Sequence, residues 1–437
     1  MSRKIILVSL LAAFVVGLIG CSSGNKSNNN SGASSPANEA ENITLSVTSY
    51  LNSEERIKMM DETIAIFNKE HPNVKINHSA DGGNYEQSLK LAFSSGEGQD
   101  IVYVDDAKQQ LLQKNNYLMD ITEDVKSRGW LDQQVSGAIE YNNLRTPDSY
   151  YSVPFLMAPV VVFYNKQIFE ELQLTPPTNI AEFNTILEKA KSAGKIPMEN
   201  AGLNNFNLMW SFFSLLYGQV DMKDVNDFYY LKDVTKPLED AMISSLTTLN
   251  DWVNKGFYRK DMSSIDYNAI PTVFAKGESA MVVDGDWNLP AYKDLDFPVG
   301  VFAFPVTDSS LPNTIVNATD GAWALNAELT PAKKQAALDF IEVFMEPEVV
   351  KIWSEGGLTS SITVDSSSFS LPPLKQELNE AISTTNIGFY LDGALPGFTD
   401  VVVKETQKMM LKESTPEECW NNIKTEYEKL KAQALAN

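Results

Sequence analysis

The chain has 437 residues, 43% of them hydrophobic, with 57 acidic against 35 basic side chains and a net charge of −22. So acidic a body repels nucleic acid and anionic headgroups over long range, which argues against a nucleic-acid partner. The two histidines, His71 and His78, flank a Pro-Asn turn and form no metal-ligand spacing, so no metal, no cofactor and no histidine-based triad is expected.

The chain opens with Arg3 and Lys4, an apolar run from Ile5 to Ile19, then Gly20 and Cys21. A run this short, ended this abruptly, reads as a secretory signal over residues 1–20 rather than a membrane span. Leu18-Ile19-Gly20-Cys21 resembles the bacterial lipoprotein signal, and the resemblance implies a diacylglyceryl thioether on Cys21. Loss of Arg3 and Lys4 with the signal takes the net charge from −22 to −24. Residues 21–42 are almost wholly Ser, Asn, Gly and Ala after the cysteine and contain no aromatic residue. They cannot bury enough apolar surface to offset ordering, so they read as a flexible tether. With Cys21 lipidated, Cys419 is left as a lone thiol in a helical pattern, a small core residue.

The body begins near Ile43 and, at roughly 390 residues, is too long for one core, so two domains are expected. Ile43 to Tyr50 alternates with period two and is rich in β-branched residues, the pattern of a strand. Glu54 to Lys69 places Ile57, Met60, Ile64 and Phe67 on one helical face. A strand at Val74 to Asn77, a helix at Tyr85 to Ser94 and a strand at Ile101 to Val104 follow. This alternation implies a sheet covered by helices on both faces. Val160 to Tyr164 and Ser279 to Val283 read as strands of a second body. Helices are expected over Ile180 to Ala193, Asn207 to Leu216, Leu238 to Gly256 and Ile270 to Lys276. Lys333 to Met345 and Pro416 to Leu435 are further helices. Pro176-Pro177-Thr178 with Glu182 marks a helix entry with Thr178 as cap.

Five segments in this order carry a family resemblance. They are Tyr85 to Asp106; Tyr151 to Phe155 with Phe163 to Phe169; Pro176 to Phe183; Phe274 to Met281 with Gly285-Asp286-Trp287; and Ala336 to Trp353. Together they resemble extracellular solute-binding proteins of the carbohydrate-importing ABC class, the maltose-binding-protein-like group. The sequence departs from that pattern at Gln99, where proline is usual, and at Ala158, where several relatives carry glutamate. The resemblance implies an α/β, two-lobed periplasmic-binding-protein-like fold. Each lobe would be a mixed sheet flanked by helices, with hinge strands between. Lobe 1 would span 43–157 and 318–365, lobe 2 158–317 and 366–437.

The site candidates follow from strand ends and residue chemistry. Asp286 and Trp287 sit after the strand ending at Val283, and ligands of α/β sheets lie at strand carboxyl ends. Carboxylates take paired hydroxyl hydrogen bonds, and indoles cover the apolar face of a pyranose. The alternative is a core Trp287 and a capping Asp286. In the first lobe, strand alternation puts Tyr103 and Asp105 on one side and Asp106 on the other. The family match points to Tyr103 and Asp106. Tyr50 and Asn52 end the first strand. Gly321 allows close backbone approach, with Trp323 beside it as ligand platform or core. Asn205, Asn207 and Trp210 lie near a second-lobe helix N-terminus, where Asn205 is equally a cap. Tyr390 is the late candidate.

The reading that results is a membrane-anchored extracytoplasmic receptor, monomeric and not an enzyme. It would bind a sugar or oligosaccharide between two lobes and deliver it to an ABC permease. A secreted glycoside hydrolase using Asp106 and Asp286 is the rival. The same fold with a non-sugar solute is the third reading, and few basic residues near the site speak against phosphate.

Overall fold

The computed structural model describes residues 42–81, 85–135, 138–143, 146, 148–307 and 310–436. Cys21, the signal segment and the tether up to residue 41 lie outside the described residues.

Ten strands form the framework: β1 (Ile43–Ser49), β2 (Val74–Ala80), β3 (Ile101–Val104), β4 (Ser152–Asn165), β5 (Ile196–Glu199), β6 (Ser279–Gly285), β7 (Val299–Phe302), β8 (Thr314–Leu325), β9 (Thr359–Ser360) and β10 (Asn386–Gly388). Their main path runs β2-β1-β3-β8-β4-β6-β5. β1 pairs in parallel with β2 and β3, and β5 in parallel with β6. β3 and β4 run antiparallel to β8, and β6 antiparallel to β4. The sheet is therefore mixed, and helices cover it.

β4 and β8 are the two long strands, and they hold the architecture together. Val153, Phe155 and Leu156 of β4 enter one core with Trp323, Phe340 and Trp353. A few residues on, Val160 and Val162 enter a second core with Phe183, Trp252 and Tyr427. Val161 and Phe163 face the other side of the strand, against Phe274 and Tyr292. The apolar run Pro159–Phe163 is thus apolar throughout because both faces are covered. Between the two cores the β4–β8 ladder shifts register on either side of Leu156. Such a bulge bends a strand and raises its twist. The result is two lobes on one continuous pair of strands.

Several local expectations are corrected. Val160 to Tyr164 is the second half of a 14-residue strand, since Ser152 to Pro159 continues the same ladder against β8 and β9. The helix after β1, Glu54–Glu70, turns Arg56, Met59, Met60, Thr63 and Phe67 inward and leaves Ile57 37% exposed. Met60 and Phe67 of the expected face are buried and Ile64 packs against the core, so only Ile57 departs from it. Asp106 does not extend β3: it is the first residue of a helix, Asp106–Lys114, whose cap is Asp105, accepting the Lys108 N–H at 2.8 Å. Asn179, not Thr178, caps the helix Ile180–Ser192, while Thr178 donates to Glu182 from both its N–H and its hydroxyl.

Candidate ligand-binding site between the lobes

The site begins at the carboxyl end of β6. Gly285 lets the Trp287 ring fold back over the backbone, where any Cβ would collide with the indole. The Trp287 Nε1–H donates to the Tyr267 hydroxyl at 2.5 Å, and Tyr267 donates to the buried Asp284 at 2.7 Å. Trp287 meets Trp210 edge-on at 5.1 Å and packs against both cores. It therefore stands where the lobes meet.

Asp286 is 1% exposed. Its Oδ2 accepts the backbone N–H of Thr359 in β9 at 2.8 Å and lies 3.8 Å from Lys375 Nζ. Lys375, also buried, donates to Thr359 Oγ1 at 2.5 Å. Burial pushes Asp286 up to about 6 against the pull of Lys375, and burial draws Lys375 down to about 8 against the pull of Asp286.

The opposite wall is built on β1, β3 and β8. Tyr50 donates its hydroxyl to the carbonyl of Asp320, and its ring packs against Tyr103 at 5.1 Å and Tyr85 at 5.5 Å. The Asp320 carboxylate faces Arg56 and the Tyr103 hydroxyl, each at 3.5 Å. Gly321 is required here by side chains: a Cβ would strike the Tyr50 hydroxyl and come within 2.8 Å of the Tyr103 ring. Lys108 pairs with Asp105 and lies over the Tyr50 ring, 5.5 Å from its centroid.

A third side joins the lobes directly. Tyr229 donates its hydroxyl to Asp106 Oδ2, which also takes Gln110 Nε2 at 3.0 Å. Tyr229, Tyr141 and Phe389 form an aromatic group with centroids 5.1–5.9 Å apart. Tyr390 donates to the Ala158 carbonyl at 2.5 Å. Asp392 accepts from Thr399 at 3.0 Å, and burial pushes its carboxyl up to about 6. These groups act on one another. Arg56 and Asp320 shift Asp286, Asp105 and Lys108 shift both Asp320 and Asp392, and Asp286 and Asp320 shift Tyr390. They form one buried, charged and aromatic seam. Two open depressions elsewhere, of about 520 and 430 Å³, share no residue with it.

Of the residues singled out from sequence, Tyr50, Tyr103, Asp106, Asp286, Trp287, Gly321 and Tyr390 come together here, with Trp210 behind Trp287. Asn52 is exposed at the end of β1. Asn205 is fully buried, holds φ 52° and donates to Thr406 at 3.0 Å; it occupies the cap position without a side-chain capping bond. Asn207 is spent on framework, donating to the Val283 carbonyl at 2.8 Å and accepting from the Ala201 N–H. Trp323 is 0% exposed, opposite Tyr103 in the β3–β8 ladder and packed against Phe344 at 5.2 Å, so it is core. Arg56, Lys108, Lys375, Asp320, Asp392, Tyr141 and Tyr229 were not anticipated as site residues. Arg56 shares a helical stripe with Met60 and Phe67, which is a readable signal; Lys375 has none. The expectation of few basic residues is corrected by Arg56, Lys108 and Lys375, although each lies beside a carboxylate.

The family model described as "Bacterial extracellular solute-binding protein" matches residues 62–379. The chain belongs to that family. Membership makes it an extracytoplasmic solute-binding protein. A multiple sugar-binding protein of Streptococcus mutans is 26% identical over 309 residues, covering 69% of this chain and 71% of the relative. An sn-glycerol-3-phosphate-binding periplasmic protein of Yersinia pestis is 22% identical over 396 residues, covering 84% and 87%. Among solved structures, a chitin oligosaccharide binding protein superposes with a TM-score of 0.79 at 19% identity, covering 89% of this chain and 99% of its own. That likeness establishes the two-lobed fold of this solute-binding protein.

Proposed function

We propose that the chain is a membrane-anchored receptor that binds a sugar or oligosaccharide between its lobes and delivers it to an ABC import permease. The observation that carries this reading is the seam itself, where Trp287 directly follows the buried Asp286, Tyr50 donates to the Asp320 carbonyl and Tyr229 donates to Asp106. Aromatic faces suit the C–H face of a pyranose, and carboxylates suit its hydroxyls. The names of relatives that bind sugars support the same ligand class. With lobe 1 taken as 43–157 and 318–365 and lobe 2 as 158–317 and 366–437, bending of β4 and β8 about the bulge at Leu156 would open and close the site.

The Leu18 to Cys21 pattern supports lipidation at Cys21, with the Ser- and Asn-rich tether raising the receptor's effective concentration at its permease. Calorimetry of the protein against glucose, maltotriose, raffinose, chitotriose and a set of amino acids tests the ligand. Binding of a saccharide with no turnover is expected; binding of an amino acid and of no saccharide would reject the reading. A Cys21→Ala protein recovered still membrane-bound would reject the anchor.

One specific observation favours a second ligand. Arg56, Lys108 and Lys375 supply the cations that a phosphorylated polyol would need, and one relative binds glycerol phosphate. Glycerol 3-phosphate belongs in the same titration.

A further inference from the structure

We propose that Tyr267 and Asp284 are positioning residues, which hold the Trp287 indole where the lobes meet as a platform that offers the ligand carbon surface and no hydrogen-bond donor. This rests on the sugar-receptor reading above. Asp284, next to Gly285 in β6, is fully buried. Its Oδ1 accepts the Tyr267 hydroxyl at 2.7 Å and the Gly285 N–H at 2.9 Å. Its Oδ2 accepts Asn288 Nδ2 at 2.9 Å and the Tyr292 hydroxyl at 2.5 Å. Each of these partners is uncharged.

Taking a carboxylate out of water among uncharged partners is costly, and a full set of donors is what offsets it. The Tyr267 hydroxyl shows what this arrangement does. It accepts the Trp287 Nε1–H at 2.5 Å and Asn288 Nδ2 at 2.9 Å, which uses both of its lone pairs. Its single proton then goes to Asp284. The hydroxyl is saturated, and the carboxylate fixes the orientation in which it receives the indole N–H. The Tyr267 ring is itself held, edge-on to Phe206 at 5.7 Å and to Trp210 at 5.2 Å.

Trp287 is thereby held from three directions. Tyr267 takes its N–H, and Trp210 meets it edge-on at 5.1 Å. Its six-membered ring lies so close to Gly285 that a Cβ there would fall 2.0–2.2 Å from Cζ3, Cη2 and Cε3. The ring is still only half-buried, and it packs against both cores. An indole has one polar atom, and here Tyr267 consumes it. A ligand at Trp287 therefore meets carbon alone, and recognition of its polar groups falls to other residues. Tyr292 gives the contrast. It makes the same kind of bond to the same carboxylate, but its ring packs against Phe163 at 4.9 Å and Phe274 at 5.5 Å, in a core separate from the two that Trp287 joins.

The test compares Tyr267→Phe with Tyr292→Phe. Each removes one hydroxyl from Asp284, but only the first takes the acceptor from Trp287. Affinity is read by calorimetry with maltotriose, raffinose and chitotriose. Indole order is read without ligand, from the fluorine resonance of Trp287 in fluorotryptophan-labelled protein, assigned by its loss in Trp287→Phe. The two tyrosine variants should lose similar stability in urea. Tyr267→Phe should weaken the bound saccharide by about tenfold and should shift and broaden the Trp287 resonance. Tyr292→Phe should change the affinity by less than about twofold and leave the resonance in place. In Trp287→Phe, which has no N–H to hold, adding Tyr267→Phe should cost no further affinity. Asp284→Asn should follow Tyr267→Phe, and if it fails to fold the tyrosine pair decides. Equal affinities and an unmoved resonance in the two tyrosine variants overturn the positioning role. A wild type that binds none of the saccharides overturns the receptor reading, while the resonance still decides whether Tyr267 anchors the indole.

Discussion

The carboxylate of Asp286 accepts the backbone N–H of Thr359 at 2.8 Å, joining the end of β6 to β9 across the seam between the lobes. Lys375 completes the arrangement by donating to the Thr359 hydroxyl from 3.8 Å behind Asp286. A candidate ligand residue is thereby also a structural clasp.

Asp286→Asn should leave Lys375 buried without its counter-charge. Removing one partner of a buried pair costs roughly 3–5 kcal/mol, whereas removing both is often far milder. Asp286→Asn should therefore lower the denaturation midpoint strongly, and Asp286→Asn with Lys375→Met should recover much of the loss. Equal midpoints for the single and double variants would show that the pair is not coupled.

Asp392 gives a pH signature. Its folded-state pKa, about 6, lies above its ordinary 3.8, with burial the cause. Between those values the native state holds the proton more firmly than the unfolded chain, so this group's contribution to stability falls as pH rises from about 4 to 6. Asp392→Asn does not titrate. Its stability relative to wild type should climb by about 2–3 kcal/mol between pH 4 and pH 7 and then level off. Urea unfolding at several pH values measures the difference, and a flat difference would contradict the burial of a charged Asp392.

Gly321 is a packing requirement. A methyl at this position meets the Tyr50 hydroxyl and the Tyr103 ring, and overpacking of this kind costs about 1–3 kcal/mol. Gly321→Ala should lower the melting temperature and weaken ligand binding together, because the displaced rings form one wall of the seam. Gly321→Ala combined with Tyr50→Phe removes the hydroxyl that clashes and should regain stability.

Cys419 is 0% exposed, and burial pushes its thiol up to about 12. Thiolate is the reactive form, so the native thiol should be inert. In a Cys21→Ala protein at pH 8, a disulfide reagent should label one thiol per chain in denaturant and essentially none without it. Rapid labelling of the native protein would place Cys419 at the surface.

The element order is legible in the sequence because it rests on local signals, whereas the two-lobed arrangement was implied by the family resemblance. β-branched alternation marks β1, the apolar run Val160 to Tyr164 marks a buried strand, and Asp286 and Trp287 follow a recognisable strand end. What remained hidden depends on contacts between distant segments. Arg56 shares a helical stripe with Met60 and Phe67, but only the fold brings it within 3.5 Å of Asp320, more than 260 residues away. Trp323 and Trp287 are chemically equivalent in the sequence. The β3–β8 ladder sends the first into the core, and Gly285 lets the second lie between the lobes. Lys375 and Asp392 carry no local mark, since a charge becomes part of a site only when the fold removes water from around it. The sequence by itself determined which polar and aromatic side chains follow the strand ends. The tertiary structure decided which of them face one another, because desolvation and opposite-lobe pairing are properties of packing and not of neighbours along the chain.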